Sequence, residues 1–295
     1  SFSLGSDTGG SGRVPAAMNN IVGLRPTVGL VSSRGLVYNN RQFDCIPVFA
    51  HGVEDAYQVL EAIAAVDRLD PVSRPDADQI ALDAPPLAHF RFAIPDRLEW
   101  FGDTQSPECF AHAVQRLQSL GGELCEIDFS PFIEAGALIF DSAFVAERAA
   151  SYGEVLDRLP QALVPGVAGI LRRARDYTAV DAFKAQHRLL ELRHQFARQL
   201  AGIDVLVTPT VARPFRVEEM LASPIERNAE VGYYTYGVGP LDLCALALPA
   251  ALRPDGLPFG VSLVGQAGSD GWLRSLGRRF EAATALPPGA PGANA

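Results

Sequence analysis

The chain has 295 residues, 48% of them hydrophobic and 20% charged, with 34 acidic against 25 basic side chains and a formal net charge of −9. A compact chain of this size buries about three quarters of its extended surface, which excludes a peptide hormone, a disulfide-stapled miniprotein and a disordered tail. The acidic balance argues against a nucleic-acid footprint, and no apolar run reaches the roughly 18 residues of a membrane-spanning helix.

In chain order, Ser1 to Gly5 reads as a short strand that runs directly into a glycine-rich turn. Between Val22 and Val48 lie short extended pieces, among them residues 29–31 and 35–37, broken by Gly, Pro and Asn. A helix is expected from about Gly52 to Val66, with Val53, Ala56, Leu60 and Ile63 on one face. The Pro- and Asp-rich stretch from Asp70 to Ala88 reads as a surface connection. Strand, helix and strand follow: residues 91–94, a helix that Ser106 caps and Gly121 ends, and residues 124–127. Residues 133–200 are helical, closing on a helix that buries Ala185, Leu189, Leu192, Phe196 and Leu200. Strands at 203–207 and 258–264 flank a loop and an apolar segment, Leu241–Leu248, and a closing helix runs from Ser269 through Phe280. The alternation of strands with helical crossovers predicts an α/β/α sandwich around a mixed, mainly parallel sheet.

Cys45, Cys109, Cys125 and Cys244 show no metal or disulfide spacing and read as small apolar fillers in a reducing compartment. His187 and His194 share a helix face, but two imidazoles without a thiolate or a second motif do not make a metal site, and no metal is expected. The informative stretch is Gly5-Ser6-Asp7-Thr8-Gly9-Gly10-Ser11-Gly12-Arg13-Val14-Pro15. Glycines on both sides of Ser11 leave its hydroxyl unshielded, and successive amides in such a turn form a nest for negative charge. A hydroxyl beside a nest suits acyl transfer: Ser11 attacks a carbonyl, and the amides of Thr8, Gly9 and Gly10 receive the oxyanion. Asp7 and Arg13 are close enough in sequence to pair and pin the loop. A phosphate loop wants GxxxxGK[ST], and Lys184, the only lysine, lies far away; a GxSxG elbow is also absent. The plain alternative is a glycine turn whose serine bonds to its own backbone.

The run from Leu4 to Ala17 resembles the nucleophile segment of the amidase signature family, and residues 19–30 continue the likeness. Residues 43–50, Phe144-Val145-Ala146-Glu147-Arg148, 207–210, 241–245 and 253–261 extend it to about residue 282 and are most similar to the allophanate hydrolases. The resemblance implies a cofactor-free serine amidase with a Ser, cis-Ser, Lys triad. Ser11 is its nucleophile, and the bridging serine and lysine belong upstream of Ser1. Residues 1–282 then correspond to the latter two thirds of an amidase domain, N-terminally incomplete, and 283–295 to a linker or disordered tail. The implied reaction is release of ammonia from allophanate in urea degradation, in the cytoplasm. The isolated chain is expected to be nearly inactive, because Ser11 lacks a base. Arg148 is implied to hold the substrate carboxylate, since its planar fork suits that group. Phe140, eight residues earlier, stands where the family usually has a tyrosine, and Arg41 is a further substrate-binding candidate. Implied partners are the missing N-terminal segment, a C-terminal domain, a second copy in a homodimer and a functionally linked biotin-dependent urea carboxylase. The alternative function is a non-catalytic fragment or structural partner that needs an upstream segment, or an amidase of another small amide.

Overall fold

Alternation of side chains along the strands decides how the layers form. The computed structural model describes residues 1–289. In chain order they form β1 (Phe2–Leu4), α1 (Val14–Met18), β2 (Val22–Arg25), β3 (Val48–Ala50), α2 (Val53–Ile63), β4 (Phe90–Pro95), α3 (Ser106–Ser119) and β5 (Gly122–Ile127). Then come α4 (Ser130–Asp141), α5 (Val145–Arg158), α6 (Pro165–Arg173), α7 (Ala179–Gln199), β6 (Val205–Pro209), α8 (Val217–Ala222) and α9 (Pro224–Gly232). The chain closes with β7 (Leu243–Leu252), β8 (Pro258–Gln266) and α10 (Asp270–Thr284). All eight strands lie in one sheet, in the order β1-β3-β2-β7-β8-β6-β4-β5.

Successive strand residues point to opposite faces, so an apolar strand feeds two cores. On β7, Cys244, Leu246 and Leu248 enter one core and Leu243 and Ala245 the other. Likewise β6 sends Val205 and Val207 one way and Leu206 the other. The first core is covered by α2, α3 and α10 through Leu60, Leu117, Leu276 and Phe280. The second is covered by α4 and α7 through Phe132, Ile139, Leu192 and Phe196. The helix–sheet–helix layering follows from these two apolar faces.

The sheet is mixed but mainly antiparallel, which corrects the expectation of a mainly parallel one. Five of the seven neighbouring pairs are antiparallel, and only β4–β5 and β4–β6 are parallel. The strand–helix–strand unit β4-α3-β5 is the crossover that the sequence displayed, and parallel pairing needs such a crossover. A tight hairpin joins β7 and β8 through residues 253–257, where Arg253 N donates to Leu257 O and Gly256 takes φ +81°. Residues 29–31 and 35–37 are not strands, since Gly29 and Gly35 adopt positive φ and turn the chain. Ser106 is the first residue of α3 and not its cap: its hydroxyl accepts from Arg253 Nη1, and Asp103 accepts from Ser106 N at 2.7 Å. Helix α10 runs to Thr284, and Asn20 receives the chain at Pro287 and Gly289. Of the expected tail, residues 290–295 lie outside the described residues. Among the described residues no helix is long and apolar enough to cross a membrane.

Leu246 is fully buried at the centre of the sheet, whereas Leu221 on α8 is 76% exposed. Leu246→Ala is therefore expected to destabilise the fold by about 2–5 kcal/mol, seen as a lower thermal midpoint. Leu221→Ala should stay within about 0.5 kcal/mol of wild type.

Candidate active site

The glycine-rich segment leaves β1 and is pinned from beneath by three charged side chains that solvent does not reach. Asp7, Arg13 and Arg25 are each fully buried. Asp7 Oδ2 accepts from Arg13 Nε at 3.1 Å and from Gly12 N at 2.9 Å, and Asp7 Oδ1 accepts from Arg13 Nη2 at 3.1 Å. Arg25 Nε lies 3.6 Å from Asp7 Oδ1. Backbone carbonyls take three further guanidinium bonds: Arg13 donates to Thr235 O, and Arg25 donates to Leu243 O and Phe43 O, while Arg25 Nε has no hydrogen-bond partner among the described residues. Burial raises the Asp7 pKa, but the charges of Arg13 and Arg25, the Arg13 hydrogen bond and the Gly12 amide outweigh it and hold the carboxyl below its ordinary value.

Above this cluster the turn exposes Ser11, while Thr8, Gly9 and Gly10 are buried against the 232–236 segment. Gly10 has φ +152°, and a Cβ there would meet Thr235 Oγ1 at 2.4 Å, so only glycine fits. The carbonyl of Gly10 accepts from Arg13 N and Val14 N. Among the described residues, the amides of Thr8, Gly9, Gly10 and Ser11 donate to no protein group, nor does the Ser11 hydroxyl bond to a side chain or the backbone. Unspent amides on a buried turn beside a free hydroxyl are what a developing oxyanion requires.

Ser11, Thr8, Gly9 and Gly10 line a cavity of about 370 Å³. Phe140, Arg148, Tyr152, Asn39, Thr235 and Tyr236 line it as well, with Phe140 beside Gly9. Arg148 is only 5% exposed, and its Cζ lies 4.7 Å from the centre of the Phe140 ring. Phe140 in turn packs on Tyr236, with ring centres 4.5 Å apart. Among the described residues Arg148 forms no ion pair, and its buried Nε has no hydrogen-bond partner. Burial lowers its pKa, against the opposing fields of Tyr152, Asp44, Tyr236 and Glu147. A buried guanidinium without a carboxylate is costly, and an anion entering the cavity would relieve that cost. Arg41 lies elsewhere: its side chain is exposed and stacks on Tyr38, and only its backbone amide is engaged, by Glu147. Lys184 is exposed on α7 and does not line the cavity.

The segment 1–273 matches the family model described as Amidase. The chain belongs to the amidase family. It is closely related to the fungal urea amidolyase and allophanate hydrolase. It is 36% identical to the urea amidolyase of Lachancea kluyveri over 95% of this chain and 15% of that protein. It is 35% identical to the urea amidolyase of Saccharomyces cerevisiae, again over 95% of this chain and 15% of the relative. The solved Kluyveromyces lactis allophanate hydrolase superposes with a TM-score of 0.91 at 36% identity, covering 96% of this chain and 46% of that one. The chain thus spans less than half of that hydrolase and a smaller share of the urea amidolyases. Membership supports an amidase-type hydrolytic role.

Several lining residues went unread in the sequence. Tyr152 and Asn39 carry no local motif; they meet only because α5 folds back over residues 39–44. Tyr236 had a signal, since Gly232-Tyr233-Tyr234-Thr235-Tyr236-Gly237 sets aromatics between glycines in a stretch otherwise read as loop.

The buried cluster yields a pH-dependent expectation. Asp7→Asn leaves two buried guanidinium groups without their carboxylate and should cost about 3–5 kcal/mol at pH 7. Because the folded-state pKa of Asp7 is depressed, its stabilisation is complete above about pH 3.9, the ordinary aspartate value, and fades as pH falls through the lower folded-state value. Thermal midpoints of wild type and variant should therefore differ widely at neutral pH and converge in strong acid.

Proposed function

We propose that the chain carries the nucleophile and the anion subsite of an amide hydrolase that releases ammonia from allophanate, a small ureido carboxylate. The observation that carries this reading is the pairing, across one cavity, of a free hydroxyl on a turn with unspent amides and a buried arginine with no anionic partner. In this reading Ser11 Oγ attacks the amide carbonyl, and the amides of Thr8, Gly9 and Gly10 take up the oxyanion. Ammonia leaves, and water then hydrolyses the acyl-enzyme. Arg148 holds the substrate carboxylate in a two-pronged pair, supported by the ring of Phe140. Phe140 contributes packing only, since it has no hydroxyl. The cavity holds no lysine among its lining residues. The reading therefore assigns the Ser11 proton to a lysine and bridging serine on a preceding segment, as in the family it resembles. A carboxylated urea is the product expected of a biotin-dependent urea carboxylation, which would supply the substrate.

In the protein as its gene encodes it, Ser11→Ala should abolish ammonia release from allophanate. Arg148→Ala should lower kcat/KM for allophanate on the order of 10²-fold and affect a neutral short amide much less. Arg148→Lys should recover part of the loss, because a point charge does not reproduce the bidentate geometry. Steady-state kinetics on both substrates checks this, and equal losses on the two would show that Arg148 supports the fold and does not read the carboxylate.

A further inference from the structure

Helix α5 at the cavity is tied to the glycine turn by a chain of hydrogen bonds. Tyr152 Oη donates to Asn39 Oδ1 at 2.9 Å, and Asn39 Nδ2 donates to Thr8 Oγ1 at 3.3 Å. Asn39 N donates to Asp44 Oδ2 at 2.7 Å, so the residue is held at its backbone as well as at both ends of its amide. The amide oxygen of Asn39 takes the phenol hydrogen and its NH₂ faces the Thr8 hydroxyl. All three members line the cavity, and Thr8 is the first residue of the turn whose amides are unspent.

The backbone supplies a second observation. Helix α5 breaks its helical geometry at Tyr152 itself, with φ −144° and ψ 18°. Residues 151–153 read Ser-Tyr-Gly, so the break falls beside a glycine, where a helix kinks readily. At the break Tyr152 Oη reaches Asn39, while Arg148, one turn earlier on the same helix, lines the same cavity. Glu147 fastens that helix to the same loop, accepting from Arg41 N at 2.7 Å and from Asn40 Nδ2 at 3.1 Å. The helix that presents the buried arginine and the loop that presents Asn39 are thereby fastened to each other.

We propose that Tyr152 is a positioning residue which, through Asn39, fixes Thr8 and with it the oxyanion-binding turn relative to the arginine-bearing helix. This rests on the reading of Ser11 as nucleophile. The relay sets the distance between the two ends of the substrate: the carboxylate held on α5 and the carbonyl placed at the turn. It predicts an effect on kcat with little change in KM, because the linkage acts on the placement of the oxyanion amides and touches neither end of the bound ground state.

The test uses the protein as its gene encodes it, with allophanate as substrate and ammonia release as the readout. Tyr152→Phe keeps the ring and removes the donor; kcat should fall about five- to tenfold, the size of one neutral hydrogen bond, with KM within about twofold. Thr8→Val should fall by a similar factor, whereas Thr8→Ser, which keeps the hydroxyl, should lose less than Thr8→Val. The Tyr152→Phe/Thr8→Val double variant should be no slower than Thr8→Val alone, since both remove one linkage. Thermal midpoints are recorded for every variant. A Tyr152→Phe enzyme with wild-type kcat, or a double variant whose losses multiply, overturns the relay. Ser11→Ala is run alongside: if it retains turnover, the reading of Ser11 fails and the relay with it, whereas a dead Ser11→Ala beside a fully active Tyr152→Phe refutes the relay alone.

Discussion

One carboxylate shared between two buried arginines is the constraint on which the site depends. Asp7, Arg13 and Arg25 bring together the glycine turn, β2, residue 43, residue 235 and the start of β7, which are remote in sequence. A buried charge cluster is a poor source of stability compared with apolar packing, but it is a demanding specifier of geometry. Each guanidinium hydrogen bond names a particular carbonyl, and Asp7 holds the Gly12 amide as well. With Asp7 taking the Gly12 amide and Gly10 O taking those of Arg13 and Val14, the amides of residues 8 to 11 are left unspent beside the cavity. The catalytic potential of the turn is thus a by-product of how its underside is anchored.

Electrostatics across the cavity follow the opposite logic. Beneath the turn two buried arginines share the Asp7 carboxylate, whereas Arg148 in the cavity wall has no ion-pair partner among the described residues. Its neighbours include an aromatic ring and polar side chains; of the nearby carboxylates, Glu147 holds residues 40 and 41, and Asp44 Oδ2 accepts from Asn39 and Asn40 while Oδ1 has no hydrogen-bond partner among the described residues. Burial raises the Asp44 pKa, against the Thr8 hydroxyl and the amides of Asn39 and Asn40. A chain of net charge −9 thereby keeps a positive group without an ion-pair partner inside a small cavity.

Much of this was legible in the sequence, for physical reasons that differ from element to element. Helix α7 and strand β8 were readable because their apolar residues follow the 3.6 and 2 periods of half-buried elements. The glycine turn was readable because Gly9, Gly10 and Gly12 are demanded by close backbone and side-chain approach, and a cluster of such demands is rare by chance. Strand direction was not readable: β6, β7 and β8 are apolar on both faces, and a strand buried on both faces looks the same whichever way its neighbour runs. Residues 29–37 misled because Val31 and Val37 favour strands while Gly29 and Gly35 turn the chain. In the site, Ser11 and Arg148 sit in local motifs, but the Tyr152–Asn39–Thr8 chain spans distant segments and exists only once α5 has folded over the loop.

The central claim is that the anchored turn makes Ser11 the acylating nucleophile. Its most direct test is to treat the gene-encoded protein with a fluorophosphonate and locate the adduct by peptide mass mapping after proteolysis. The account predicts a single stoichiometric adduct on Ser11, within the peptide that ends at Arg13. Stoichiometric labelling of a different residue, with Ser11 unmodified, would contradict it.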